Sequence, residues 1–124
     1  MFKYKFQLVN ILDFETIMLP LLKFAEDGKE HSIDSVEKYL SKCFDLTDDE
    51  RKMPKLSGSE PLFLNRLRWA RLFLKKAGLV TDPRRSYYQI TKNRKQALLT
   101  NPSNINISFL KQYPLFTKWY SRKK

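Results

Sequence analysis

Apolar residues recur at helical spacing through residues 60 to 79, EPLFLNRLRWARLFLKKAGL, the longest segment of the chain that reads as one helix. At about 100° per residue, Phe63, Leu67, Ala70, Leu74 and Ala77 fall within one narrow arc bordered by Arg66 and Phe73. That arc predicts the buried face. Pro61 suits a first helical turn, where its missing N–H would be unpaired anyway, and Gly78 supplies a left-handed stop. The opposite arc carries Asn65, Arg68, Lys75 and Lys76, with Arg71 and Trp69 at its edges.

The same patterning predicts the remaining elements. Phe2, Tyr4, Phe6 and Leu8 alternate with Lys3, Lys5 and Gln7, which argues a short strand within an N-terminal arm over 1 to 12. Asp13 is placed to cap a helix over 14 to 27 that turns Phe14, Ile17, Met18, Leu21, Leu22 and Ala25 inward and closes at Gly28. Pro20 lies inside it, so a kink is expected, or two short pieces meeting near Leu19. Ser32 caps a helix over 33 to 44, and Thr47 with Glu50 has capping-box spacing for one brief turn to Lys52. Residues 53 to 59 read as irregular. Two β-prone runs, 79 to 81 and 87 to 90, flank the turn-rich DPRRS. Thr91 caps a further helix to about residue 99, and Asn106 opens a last one over 107 to 113. The tail, 114 to 124, mixes aromatic and basic residues; it either folds back over the core or awaits a neighbour.

A helix followed by a basic-tipped hairpin is the order of a winged helix-turn-helix, in which the helix enters the major groove and the hairpin reaches the neighbouring backbone. The expected fold is therefore mainly α with a small β-wing, one domain over 1 to 124. Its recognition helix is 60 to 78, its wing 79 to 90 and its scaffold helix 33 to 44. The connection between the two helices is longer than the usual three- or four-residue turn.

Charge sharpens this picture. The 124 residues carry a net charge of +11, and ten basic residues stand against only Glu60 and Asp82 between residues 60 and 95. No acidic residue interrupts residues 61 to 81, so the helix supplies no i,i+4 partner for its own cations. Such concentration points to a polyanion, and to nucleic acid before membrane, because the charged helix has no wide apolar face left for lipid. One cysteine, Cys43, and one histidine, His31, exclude an internal disulfide and a cysteine- or histidine-rich metal site. No metal or other cofactor is expected. With neither an apolar run near 20 residues nor a signal peptide, the protein is expected in the cytoplasm.

The ordered run Asn65-Arg66-Leu67-Arg68-Trp69-Ala70-Arg71, then Leu74-Lys75-Lys76-Ala77-Gly78-Leu79, Pro83-Arg84-Arg85 and Ile90-Thr91, resembles the N-terminal domain of Mrr-type restriction proteins. Those proteins defend bacteria against DNA carrying foreign methylation. MLPLLKFAEDGKEH at 18 to 31 and LTDDER at 46 to 51 are similar to its upstream segments, so the resemblance covers about 14 to 116. Two departures are Ser86 and Arg94, where the family pattern has glycine. Full-length members carry a C-terminal PD-(D/E)xK-type nuclease domain, for which this chain has no room. The resemblance therefore implies DNA recognition, with cutting left to a separate or fused nuclease domain.

The residues expected to touch double-stranded DNA, methylated or plain, are Asn65, Arg68, Arg71 and Lys75 on the helix and Arg84 and Arg85 on the wing. Asn65 is a candidate amide reader of adenine, and Arg68 lies in the half of the helix that reaches bases. Solvated surface is the competing reading for each. Leu64, Trp69 and Leu72 are candidates for base or methyl contact, against ordinary packing; Arg66, on the core side, is expected to pair internally with Glu15, Glu26 or a helix end. Glu50-Arg51-Lys52 has the E-x-K spacing of a nuclease metal site, but its carboxylates share one turn of a polar connector and cannot converge on a metal from separate strands. No catalytic residue is expected. The alternative is a free-standing winged-helix regulator or an interaction module, with Leu64, Leu72 and the aromatic tail forming a homodimer or partner interface. The DNA reading requires the cations to share one side and fails if they are tied up by carboxylates of the same molecule.

Overall fold

The computed structural model describes residues 14 to 54, 58, 60 to 92, 98 and 104 to 123. The expected N-terminal strand, the Asp13 cap and most of the helix after Thr91 lie outside them.

Helix α1, Phe14–Phe24, buries Ile17, Met18, Leu21 and Leu22 and runs unbroken through Pro20. The two-piece alternative is thus corrected. Proline at position 20 removes only the hydrogen bond to the Thr16 carbonyl, and Thr16 is exposed, so water can serve that oxygen. The helix is nevertheless shorter than expected: Ala25 N–H turns to the Leu22 carbonyl (3.1 Å), and Gly28 takes φ 82° to reverse the chain.

Strand β1 is only His31–Ser32. It leads straight into α2, Ile33–Cys43, where the Ser32 hydroxyl accepts from Ser35 N–H as the predicted cap. Asp45 ends α2 in the left-handed region, φ 56°, with Leu46 N–H on the Ser41 carbonyl (2.8 Å) and Asp45 N–H on that of Lys42 (3.0 Å). Then α3, Asp48–Lys52, opens with the full Thr47–Glu50 capping box. Leu62 N–H donates to the Met53 carbonyl (2.7 Å), and Pro54 bridges Pro61, so the irregular connection is pinched at its base.

Helix α4, Leu62–Lys76, begins one residue after Pro61, which flanks the helix instead of entering its first turn. It buries Phe63, Leu67, Ala70, Phe73 and Leu74 and packs chiefly against α1. Gly78, φ 81°, terminates it: Leu79 N–H reaches the Leu74 carbonyl and Gly78 N–H that of Lys75, both at 2.9 Å. This is a Schellman closure, and it sends the chain directly into β2, Val80–Thr81. Strand β3, Tyr87–Ile90, returns antiparallel with Val80 opposite Ile90 and Thr81 opposite Gln89. Its other edge pairs His31 with Tyr88 and Ser32 with Tyr87, giving a three-stranded sheet in the order β1-β3-β2. The protein is mainly helical with this small antiparallel sheet.

Two short helices close the described chain: α5, Ile107–Leu110, and α6, Pro114–Lys123. Asn106 caps α5 as expected, and Glu15 of α1 accepts from Ile107 N–H at 2.7 Å. The aromatic tail is therefore a helix folded over the core. Phe116 is fully buried, and Trp119 meets the Phe73 ring edge-on at 5.3 Å. Among the described residues no helix is long and apolar enough to cross a membrane.

Central strand β3 is tied to α1 by side chains. Tyr88, fully buried, donates its hydroxyl to the Leu21 carbonyl at 2.8 Å, the oxygen that Ala25 N–H has left free. Burial pushes this phenol well above its ordinary range. Gln89 Nε2 donates to the Gly28 carbonyl at 2.7 Å. Tyr88→Phe strands a buried carbonyl and is expected to cost about 1–3 kcal/mol, read as a lower midpoint in urea with an unchanged slope.

Candidate nucleic-acid interface

Because Leu67, Ala70 and Leu74 are buried, the helical repeat sends Arg68, Arg71 and Lys75 out along one stripe of α4. The hairpin folds back beside that stripe. Its turn places Arg84 and Arg85 near the helix, so that Ile33, Arg68, Arg71, Asp82, Arg84, Arg85 and Ser86 line one open recess of about 550 Å³. Five of the six predicted polar contact residues belong to this place, Lys75 joining it through Asp82. Ser86 takes φ 64°, a left-handed conformation that glycine adopts without cost, while its carbonyl accepts from Ile33 N–H at 2.8 Å. The backbone here does need what the missing glycine would supply.

Carboxylates already meet most of these cations. Arg68 pairs with Glu60, which precedes the helix. Asp82 takes Arg71 Nη1 at 3.2 Å on one oxygen and Lys75 Nζ at 2.9 Å on the other. Arg84 Nε donates to Glu30 at 3.0 Å, and its guanidinium lies 3.8 Å from the Tyr87 ring centre. Arg85 is exposed, with no carboxylate partner among the described residues. None of the pairs is helical in spacing: Glu60 and Asp82 stand outside the two ends of α4, and Glu30 enters from the loop before β1.

The requirement that the cations not be tied up by carboxylates of the same molecule is thus not met by Arg68, Arg71, Lys75 and Arg84. Four cations meet three carboxylates; Arg68, Lys75 and Arg84 keep exposures of 50%, 46% and 62%, while Arg71 and Asp82 are each 24% exposed. Exposed ion pairs contribute about 0–1 kcal/mol each and are screened by salt. A polyanion releasing condensed counterions competes with them on favourable terms.

Asn65 lies apart from the recess. Its amide nitrogen donates to Glu60 at 3.0 Å while its oxygen accepts from Arg66 Nη1 at 3.1 Å, so one carboxylate positions both Asn65 and Arg68. Arg66 Nε is buried without a hydrogen-bond partner among the described residues. Leu64 is half-buried against the core and lines a separate depression with Asp34, Glu37 and Arg51. Trp69 also packs on the core, edge-on to Phe73 at 6.2 Å; Leu72 is half-buried. None of the three apolar candidates lines the arginine recess.

The E-x-K residues have structural partners instead. Glu50 is buried and accepts from Thr47 N–H, and Arg51 forks onto both oxygens of Glu37, which raises its pKa. Among the described residues no three His, Cys, Asp or Glu side chains could hold a metal ion. What residue patterns missed are the carboxylates of the recess and the Tyr87 platform. Glu60 and Asp82 were visible as the ends of an acid-free run; Glu30, 54 residues from Arg84, gave no local signal.

The family model of the Mrr N-terminal domain matches residues 14–100. That span includes the recess and stops short of α5 and α6. Searches of curated proteins and of solved structures return no match.

The two arginines of the hairpin turn separate on stability. Arg84→Ala loses the Tyr87 stack and the Glu30 pair and is expected to cost about 0.5–1 kcal/mol. Arg85→Ala is expected to stay within about 0.5 kcal/mol of the parent, both measured by urea denaturation.

Proposed function

Because the chain belongs to the Mrr N-terminal domain family, and so is associated with Mrr-type restriction systems, we propose that it is the target-recognition module of a methylation-dependent restriction system. In this reading it is a winged helix that binds double-stranded DNA in the cytoplasm, and a separate or fused nuclease domain does the cutting. Helix α4 enters the major groove and the β2–β3 hairpin lies along the adjoining backbone. The observation that carries the reading is the convergence of Arg68, Arg71, Arg84 and Arg85, from two different elements, on one open recess.

Roles follow from position. Arg85, without a carboxylate partner among the described residues, and Arg84, braced on Tyr87, contact phosphates. Arg68 and Asn65, held by Glu60 at the N-terminal half of α4, face base edges. The preference for methylated DNA rests on the family association, since Leu64, Trp69 and Leu72 stand outside the recess.

The test titrates matched methylated and unmodified duplexes at several salt concentrations. With about five phosphates neutralised, log K is expected to fall against log salt with a slope near −4 to −5. Arg68→Ala and Arg84→Ala should each weaken binding, and methylated duplex should bind more tightly. Equal affinity for both duplexes with preference for one palindrome would make the chain a regulator. A flat salt response would leave only an interaction module.

A further inference from the structure

One carboxylate of the recess stands out by its partners. Asp82 is 24% exposed and offers each of its oxygens to a different cation, Arg71 Nη1 at 3.2 Å and Lys75 Nζ at 2.9 Å. Those cations sit four residues apart, on successive turns of one face of α4, and are held by the helix backbone. Asp82 instead begins the turn of the hairpin. Arg68, Arg84 and Arg85 line the same recess, and Asp82 is its sole acidic lining residue. In addition, Arg71 Nε is buried with no hydrogen-bond partner among the described residues. Like a carboxylate, a backbone phosphodiester has two non-bridging oxygens to offer the two cations, and a terminal phosphate has three.

Resting on the DNA reading, we propose that Arg71 and Lys75 form an anion subsite for one phosphate group, which Asp82 fills in the free protein and vacates when the phosphate enters. Asp82 is thus an internal competitor. Two consequences follow from linkage. Affinity for any phosphate ligand is lowered by the strength of the Asp82 pairs, and the released carboxylate takes up a solution cation, offsetting part of the counterion release from DNA.

Asp82→Asn keeps the shape and one acceptor while removing the charge. Its comparison is Asp49→Asn, an exposed carboxylate of α3 that does not line the recess, which measures the effect of net charge alone. Inorganic pyrophosphate and a plain duplex serve as probes, the first followed by NMR of the arginine side-chain N–H groups. Asp82→Asn is expected to bind each probe about three- to tenfold more tightly than the parent, well beyond Asp49→Asn, and to steepen the salt slope for duplex by about one. Asp82→Ser, which retains a turn-forming residue, replaces it should melting show the asparagine variant misfolded.

An Asp82→Asn gain no larger than that of Asp49→Asn, or a loss of affinity, overturns the subsite. If pyrophosphate binds more tightly to Asp82→Asn and no variant binds duplex, the subsite stands and the DNA reading falls. If parent and Asp82→Asn bind duplex equally and pyrophosphate distinguishes neither, the DNA reading stands and the subsite falls.

Discussion

The burial of one stripe of α4 against α1 decides where everything else in the molecule points. Phe63, Leu67, Ala70 and Leu74 are all but inaccessible, and full burial of large apolar side chains contributes about 1.5–3 kcal/mol apiece. Rotating the helix by even one position would expose part of that stripe. The direction of Arg68, Arg71 and Lys75 is therefore set by apolar residues that never meet a ligand. The Schellman closure at Gly78 extends the constraint. It turns the chain so tightly that β2 begins two residues later, and Thr91 at the far end of the hairpin donates its hydroxyl back to the Gly78 carbonyl at 2.9 Å. Helix and hairpin leave and return at one point, which keeps the arginine-bearing turn beside the helix.

Local chemistry was readable from the chain wherever its partners lie within a few residues. The Ser32 cap, the Thr47–Glu50 box, the Asn106 cap and the Gly78 stop each need only a side chain and a backbone group in the same turn, so residue type and spacing suffice. Pro20 does not split α1 into two pieces, and Thr16, whose carbonyl it leaves without a helical donor, is an exposed residue. Strand β1 left no signature, since two residues cannot display a period. The gathering of the cations was legible as charge density, but their partners were not. Arg68 to Glu60, Arg71 to Asp82 and Arg84 to Glu30 span 8, 11 and 54 residues, and none follows a helical repeat.

The aromatic residues show the same division between pattern and packing. Trp69 lay at the edge of the charged arc, which left both stacking on a base and packing on the core open. Phe73, one turn on, gathers Phe14, Trp69, Phe116 and Trp119 around its ring with centroids between 4.7 and 6.2 Å. Helix α6 thus buries its aromatic face on the same helix that carries the cations, and Lys76 reaches the Trp119 ring at 5.6 Å. Of the two readings of the tail, folding back over the core is the one the structure shows, with Phe116 and Trp119 on Phe73.

Ion pairing inside a binding face acts in two opposed ways, and their sizes decide which matters. Holding an arginine or lysine in place removes side-chain freedom worth about 2 kcal/mol, so a pre-paired cation loses less on binding. Breaking an exposed pair costs about 0–1 kcal/mol. Where the incoming anion takes the position of the carboxylate, the cation keeps its pose and the saving is retained, while the carboxylate alone must move. Where the anion binds elsewhere, both the saving and the pair are lost. Asp82, at the start of a hairpin turn and facing two cations fixed to a helix, has the geometry of the first case. Glu60 differs, because it also holds Asn65 and Arg68 in one arrangement at the helix entrance. Removing its charge would loosen two groups at once.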